Sequence, residues 1–93
     1  MLSASTNENI DLAMTYSAYR EIELVPVNQA EEVSRAILDL ADDPQPAGAL
    51  RCVDVKGCYY LPVHGWYVLY HLSSDLSRLT VLGVLDGATH TVH

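Results

Sequence analysis

Positively charged side chains are scarce in this sequence. Five Lys and Arg residues stand against twelve Asp and Glu residues, which gives a formal charge of −7 over 93 residues. Proteins that bind nucleic acids normally carry a basic patch that displaces counterions from phosphates. Five scattered cations cannot form a large patch, so extensive contact with RNA or DNA is disfavoured. A small phosphate site around Arg51 and Lys56 remains compatible with the sequence.

Cysteines, metal-ligand clusters and long apolar runs are scarce as well. Cys52 and Cys58 lack the spacing of a CxxC motif, and no signal peptide is recognisable, so we expect two reduced, buried thiols. No run approaches the ~18 apolar residues of a membrane span. His90 and His93 lack a third ligand for a metal, and no glycine-rich phosphate loop is present. We therefore expect a cytoplasmic protein without a cofactor, a metal or a membrane partner.

Apolar residues are abundant for a chain of this length. The composition is 49% hydrophobic and only 18% charged, and 93 residues form one domain with a modest core. Some apolar area should therefore stay exposed, and such patches on small proteins usually mark interfaces. We expect a protein partner or a second copy of the chain as a homodimer.

Residues 28–42 show the clearest secondary-structure pattern, that of an amphipathic helix. Asn28 is a suitable N-cap, and Glu31 and Glu32 lie in the first turn, where the helix dipole favours negative charge. Apolar side chains recur with helical spacing at Val33, Ala36, Ile37, Leu40 and Ala41. Asp43-Pro44 ends the pattern because a residue before proline avoids helical geometry.

The segment before this helix is less clearly patterned. Residues 21–27 (EIELVPV) predict a strand, with Pro26 at its edge or end. Residues 1–13 have no strong period, and two interpretations stay open. They form an extension ahead of a start at Met14, or Ser5 and Glu8 cap a short helix that continues to Tyr16. In either case we predict a single domain over residues 14–93.

The second half of the chain predicts a sheet. Strands are indicated at 50–56, 58–63, 66–72 and 79–85, and the second and third form a hairpin with its turn at Val63-His64-Gly65. The order of elements predicts an α+β fold, in which one main helix packs on a twisted antiparallel sheet of four to five strands. In strand 66–72 one face carries Trp66, Val68, Tyr70 and Leu72, and the other carries Tyr67, Leu69 and His71. One face should cover the helix, and the other is apolar enough to suit a protein partner.

Three stretches within residues 37–85 match a known pattern in order and spacing: ILDLADDPQPAG, YYLPVHGWYVLYHL and LTVLGV. Together they resemble the RelE/ParE superfamily, the toxins of bacterial type II toxin–antitoxin systems. The resemblance implies the α+β fold given above and a toxin-like protein that is neutralised by a cognate antitoxin. Many relatives have arginines where this sequence has Tyr60, Pro62 and Tyr67. Ribosome-dependent mRNA cleavage driven by arginines is therefore disfavoured.

A branch similar to the YafQ toxins implies a different chemistry, based on histidines. Asp86-Gly87-Ala88-Thr89-His90 resembles that branch just past the last strand, so His90 is the first catalytic candidate and His64 is the second. An imidazole can take a proton from a ribose 2′-hydroxyl and return one to the leaving oxygen. In this endoribonuclease hypothesis, Arg51 and Lys56 contact phosphate. Two tyrosines, Tyr60 and Tyr67, stack on bases or contact protein.

Two other hypotheses stay open beside mRNA cleavage. One is a non-catalytic member of the same fold that binds DNA gyrase or another protein, as ParE-like relatives do. The other is a dimeric domain without toxicity. Whether the protein is an enzyme is thus left open by the sequence.

Overall fold

A five-stranded sheet and two helices make up residues 10–88, the part of the chain that this computed structural model describes. The elements are β1 (Asp11–Met14), α1 (Tyr16–Ile22), α2 (Val27–Asp39), β2 (Leu50–Arg51), β3 (Cys58–Val63), β4 (Trp66–Leu72) and β5 (Arg78–Asp86). The order across the sheet is β1-β5-β4-β3-β2. The last four strands are antiparallel neighbours, whereas β1 pairs parallel with β5. The predicted α+β class is confirmed, with a second helix and a mixed sheet.

Helix α2 is the helix predicted at 28–42. It begins one residue earlier, at Val27, and ends three residues earlier, at Asp39, and its N-cap is Pro26 rather than Asn28. The first turn therefore holds no acidic residue, in contrast to the prediction for Glu31 and Glu32. Proline suits the start of a helix because its missing N–H would have no intrahelical partner there. Val33, Ile37 and Leu40 are buried, as their spacing indicated.

The predicted strand at 21–27 is wrong, because this segment holds the end of α1, a turn and the first residue of α2. Thr15 begins α1 by accepting a hydrogen bond from the backbone N–H of Ala18 at 3.1 Å. Ala18, Ile22 and Val25 then face the core at the i, i+4, i+7 spacing of a helix. Ile22 and Val25 of EIELVPV thus continue a buried stripe that starts before the segment at Ala18, whereas Leu24 and Val27 are exposed.

Strand β1 occupies residues for which the sequence left two interpretations open. Asp11–Met14 pair with Arg78–Val81, and Ile10 just before them is buried. Residues 11–14 are therefore extended and not helical. The proposed cap at Ser5 and Glu8 lies outside the described residues.

Strand β2 is much shorter than the predicted strand at 50–56. Only Leu50 and Arg51 pair with β3, and residues 52–57 form a loop. Val53 and Val55 are β-branched but exposed, because they lie in this loop beyond the edge strand β2. Gly57 ends the loop in the left-handed region, at φ 80°.

The hydrophobic core lies between the two helices and one face of the sheet. The β4 side chains predicted to share a face, Trp66, Val68, Tyr70 and Leu72, all belong to this core or pack against it. Tyr59, Leu61 and Val63 of β3 pair with Tyr70, Val68 and Trp66 on the same face. The predicted division of the hairpin into two faces is confirmed.

Helix α1 also covers the part of β5 that β1 leaves without a strand neighbour. The hydroxyl of Thr15 donates to the carbonyl of Leu82 at 3.1 Å, and Glu21 Oε1 accepts the N–H of Val84 at 2.8 Å. Exposed backbone groups at a sheet edge invite pairing with another chain. The side chains of Thr15 and Glu21 thus provide hydrogen-bond partners for backbone groups of β5 beyond the end of β1.

Candidate functional site

The open face of the sheet, turned away from the helices, carries tyrosines but no Lys or Arg from β3 or β4. Tyr60 and Tyr67 meet edge to face on it, with ring centroids 5.5 Å apart. Tyr60 is only 8% exposed, so its ring has little surface left to stack on a base. Tyr67 is half-buried and is the more accessible of these two predicted contact residues.

The β3–β4 turn presents His64 at one end of the sheet. His64 and Gly65 have φ values of 50° and 84°, as in a type I′ hairpin turn. The exposed imidazole contacts the carboxylate of Glu32 on α2 through Nε2. One helical turn earlier, Gln29 accepts a hydrogen bond from the indole Nε1 of Trp66 at 2.9 Å. Helix α2 therefore orients the hairpin end through two polar contacts.

A cleft of about 510 Å³ lies beside this turn and is lined in part by His64, Trp66, Tyr67 and Asp86. Asp86 accepts a hydrogen bond from the backbone N–H of Ala88 at 2.9 Å. A histidine paired with a carboxylate can exchange protons with a bound substrate. His90, the first catalytic candidate from the sequence, lies outside the described residues.

The opposite end of the sheet holds the two predicted phosphate contacts. Arg51 and Lys56 line a groove of about 650 Å³ together with His71. Both cations are exposed, and neither has a hydrogen bond or ion pair with another described side chain. The remaining cations do have partners: Arg20 contacts Tyr16, Arg35 contacts Glu31, and Arg78 contacts Asp11. Arg51 and Lys56 are thus available to an anion.

His71 is the residue that the predicted site did not include. It lies on the open face opposite Cys58, and its ring packs against Gly57. A Cβ at Gly57 would lie 3.0 Å from His71 Nε2, so the glycine makes room for the imidazole. The alternation of residues in β4 predicted that His71 lies on the open face. The loop that brings Lys56 close to His71 exists because β2 is short, and the sequence did not reveal the length of β2.

Asp75, four residues after His71, makes its hydrogen bonds within the β4–β5 turn and none with His71. Its Oδ1 accepts hydrogen bonds from the hydroxyls of Ser77 at 2.7 Å and Ser73 at 2.8 Å. These bonds lower the pKa of Asp75 to about 2. The carboxylate organises the β4–β5 turn.

The structure does not bring all the predicted site residues together. Arg51 is opposite Tyr59 near the start of β3, and His64 follows its end. Strand β3 has six residues, which span about 17–20 Å at the usual rise per residue. His64 therefore lies at the other end of the sheet from Arg51 and Lys56, whose nearest imidazole along the groove is that of His71.

Metal sites and membrane-spanning helices are both absent from residues 10–88. No cluster of three or more His, Cys, Asp or Glu side chains in that range is arranged to hold a metal ion. None of the helices there has the length and apolar character needed to cross a membrane.

Comparison with known proteins gives matches in structure but not in sequence. The sequence matches no protein-family profile and no curated protein. In structure, the RelE–RelB complex of the archaeon Pyrococcus horikoshii OT3 matches at a TM-score of 0.72 and 10% identity, over 88% of this chain and 99% of the other. The toxin–antitoxin complex RelBE2 of Mycobacterium tuberculosis matches at 0.70 and 16%, over 84% and 98%. The chromosomal ParDE system of P. aeruginosa matches at 0.67 and 13%, over 85% and 97%.

Proposed function

Because the chain has the RelE/ParE toxin fold, we propose that it is the toxin-like component of a bacterial type II toxin–antitoxin pair and is held inactive in the cytoplasm by a cognate antitoxin. The similarity in structure carries this proposal, since it extends over 84% of this chain and 98% of the matched chain of a toxin–antitoxin complex. Fold alone does not establish function. The surface and the groove supply independent support.

The surface of the helices supports an antitoxin partner. Large apolar side chains are exposed on α1, on the turn after it and on α2: Tyr16, Tyr19, Leu24, Val27 and Leu38. A groove of about 300 Å³ also lies between α2, the following loop and Leu61 of β3. Apolar area of this kind is typical of surfaces that another protein covers.

The groove at Arg51 and Lys56 supports RNA cleavage as the toxic activity. Two cations without partners beside an imidazole suit a phosphodiester. In this reaction His71 takes the proton of a ribose 2′-hydroxyl, whose oxygen attacks the adjacent phosphorus. The bond to the 5′-oxygen breaks, and that oxygen takes up a proton from water as it leaves. The products are a 2′,3′-cyclic phosphate and a 5′-hydroxyl, and Arg51 and Lys56 balance the charge on the phosphorane oxygens.

The histidines predicted from the sequence remain the alternative acid and base. His64 has a carboxylate partner in Glu32 and lines the other cleft, next to Asp86. In that arrangement His64 and His90 share the proton transfers, and Arg51 and Lys56 are too distant to hold the reacting phosphate.

A second function, binding of a protein target without cleavage, is favoured by the open face. Strands β3 and β4 carry no Lys or Arg, and the chain has a net charge of −7. Both features oppose close contact with a polyphosphate. A target protein would use the aromatic surface around Tyr67, and a second copy of the chain would use the same surface.

Induced expression in a bacterium tests these proposals, with growth, translation and transcript integrity followed together. If expression arrests growth and cleaves transcripts, and if His71→Ala abolishes both effects while His64→Ala retains them, catalysis in the groove with His71 is supported. The reverse pattern supports His64 and His90, with His90→Ala as the next variant. Arrest with intact transcripts supports a protein target. Absence of arrest in the folded protein, also when its antitoxin is lacking, would refute the toxin proposal.

A further inference from the structure

The two cysteines face each other across the base of the loop at 52–57. Their Sγ atoms are 3.1 Å apart, and both thiols are free. The backbone N–H of Cys52 donates to the carbonyl of Cys58 at 2.8 Å, which continues the pairing of Arg51 with Tyr59 by one residue. Cys52 and Cys58 are thus cross-strand neighbours, although β2 ends before them.

This placement meets the requirements for a disulfide bond. Opposite residues of an antiparallel pair have Cα atoms about 4.5–5.5 Å apart, and disulfides form at Cα separations of about 4.4–6.8 Å. The sulfur atoms need to approach by about 1 Å to reach bonding distance near 2.05 Å. The bond therefore requires no rearrangement of the sheet.

The two thiols differ in their access to reagents. Cys58 is 6% exposed, whereas Cys52 is half-buried. Burial raises the pKa of Cys58 to about 12, with further contributions from the hydrogen bond and the charge of Cys52. Thiolates and not thiols attack disulfides. Cys52 is therefore the thiol that reacts first.

We propose that Cys52 and Cys58 form a reversible oxidation site, in which a disulfide closes a ring over residues 52–58. With a low-molecular-weight disulfide such as oxidised glutathione, the Cys52 thiolate attacks one sulfur and one glutathione thiolate leaves. The Cys58 thiolate then attacks the Cys52 sulfur of the mixed disulfide and the second glutathione thiolate leaves. The two protein thiol protons end on the two glutathiones, so one disulfide is reduced and one is formed.

The ring includes residues that line the groove described above. Lys56 lies within it, and the carbonyl of Gly57 accepts the N–H of Leu72 at 2.8 Å next to His71. A disulfide at the base of the loop restricts the positions that Lys56 can occupy. The oxidation site itself does not depend on the proposed toxin function, because it follows from the two sulfur positions alone.

Peptide mapping of the full chain tests the proposal. The folded protein is incubated with oxidised glutathione, alkylated and digested with trypsin without reduction. Trypsin cleaves after Arg51, Lys56 and Arg78, so the bond links peptide 52–56 to peptide 57–78. We expect this linked pair from protein that runs as a monomer on a non-reducing gel, and its separation by dithiothreitol. Two alkylated cysteines, glutathione on Cys52 alone, or links only between chains would overturn the proposal.

Two comparisons make the test specific to the folded geometry. The ring should close at a ratio of oxidised to reduced glutathione about tenfold lower in the native protein than in urea, because folding holds the sulfurs together. Equal ratios would contradict the proposal. Cys58→Ala should take up one glutathione at Cys52, whereas Cys52→Ala should take up none while circular dichroism shows it folded. Uptake by both variants, or by Cys52→Ala alone, would contradict the assigned order of attack.

Discussion

Strand β1 is expected to be part of the folded domain, and two truncations test this directly. One polypeptide starts at Ile10 and the other at Met14, so the difference between them isolates residues 10–13. Those residues contribute most of β1 and its parallel pairing with β5. A start at Met14 would be harmless if the segment ahead of it were only an extension.

The cost of losing these residues can be worked out from their burial. Ile10 is 9% exposed and Leu12 is half-buried against the core. Burial of the first contributes about 2 kcal/mol and of the second about 1 kcal/mol. The backbone hydrogen bonds of the strand contribute about 1 kcal/mol each, which offsets the entropy of ordering four residues at the lower end of its range of about 1–2 kcal/mol per residue. The ion pair between Arg78 and Asp11 is exposed and adds little. The net loss is therefore about 3 kcal/mol.

Urea unfolding, followed by circular dichroism, measures this difference. With a slope of about 1.5 kcal/mol per molar urea, the midpoint should fall by about 2 M between the two polypeptides. Domains of this size have total stabilities of about 5–15 kcal/mol, so a loss of about 3 kcal/mol is a large fraction of the stability before urea is added. Midpoints that agree within about 0.5 M would refute the reasoning and return residues 10–13 to the status of an extension.

Three further substitutions test contacts within the fold. Glu21→Ala leaves the N–H of Val84 without its acceptor and should cost about 1–3 kcal/mol in urea unfolding, whereas Glu23→Ala, at an exposed position, should cost less than about 0.5 kcal/mol. Gly57→Ala should cost about 2 kcal/mol, because residue 57 has a φ of 80° and the new Cβ would lie 2.8 Å from the carbonyl oxygen of Leu72. Gly48→Ala is the matched control, because its Cβ would lie 3.7 Å from its nearest neighbour. Burial raises the pKa of Tyr70 from 10.0 to about 12, so the folded state holds the phenol proton more tightly than the unfolded state does. The resulting contribution to the free energy of unfolding is lost as the pH rises from 10 to 12. Tyr70→Phe should reduce this fall in stability with pH, and an unchanged pH profile would contradict the assignment.

Local patterns in the sequence were sufficient for the long elements. The stripe of Val33, Ile37 and Leu40 identified α2, and the alternation in 66–72 separated the two faces of β4 correctly. These elements are at the centre of the fold, where burial of one face dictates the pattern. Edge elements lack that constraint. Strand β1 has four residues and β2 has two, too few for any period to be visible.

The candidate site was predicted only in part, for a related reason. The sequence predicted Arg51 and Lys56 as phosphate contacts because they were the only cations near the presumed site, and both line one groove. Their proximity to His71 depends on the loop between β2 and β3, whose path follows from Gly57 and the packing of its neighbours. Contacts between segments distant in sequence are set by tertiary packing, and no spacing along the chain encodes them.

The aromatic residues of the β3–β4 hairpin are mostly explained by the fold, and this narrows the search for function. Tyr70 donates to the carbonyl of Pro44 at 2.7 Å, and Tyr59 accepts a hydrogen bond from Gln45 at 2.8 Å while stacking on Tyr70. These two hydroxyls fasten the loop after α2 to the sheet, as Trp66 fastens the start of α2. Loss of activity on substitution of Tyr59 or Tyr70 would therefore report on stability.

Tyr67, on the open face of the sheet, is not explained by packing in the core. Tyr67 contacts only Tyr60 among the rings of residues 10–88, and it borders the cleft that also contains His64. Tyr67→Ala should leave the core intact, because the residue is not among the buried side chains that the helices cover. An effect of this variant on growth arrest, with an unchanged urea midpoint, would assign the aromatic surface to target binding. A matching effect from Lys56→Ala would show instead that the groove at Arg51 and Lys56, near the opposite end of the sheet, is required as well.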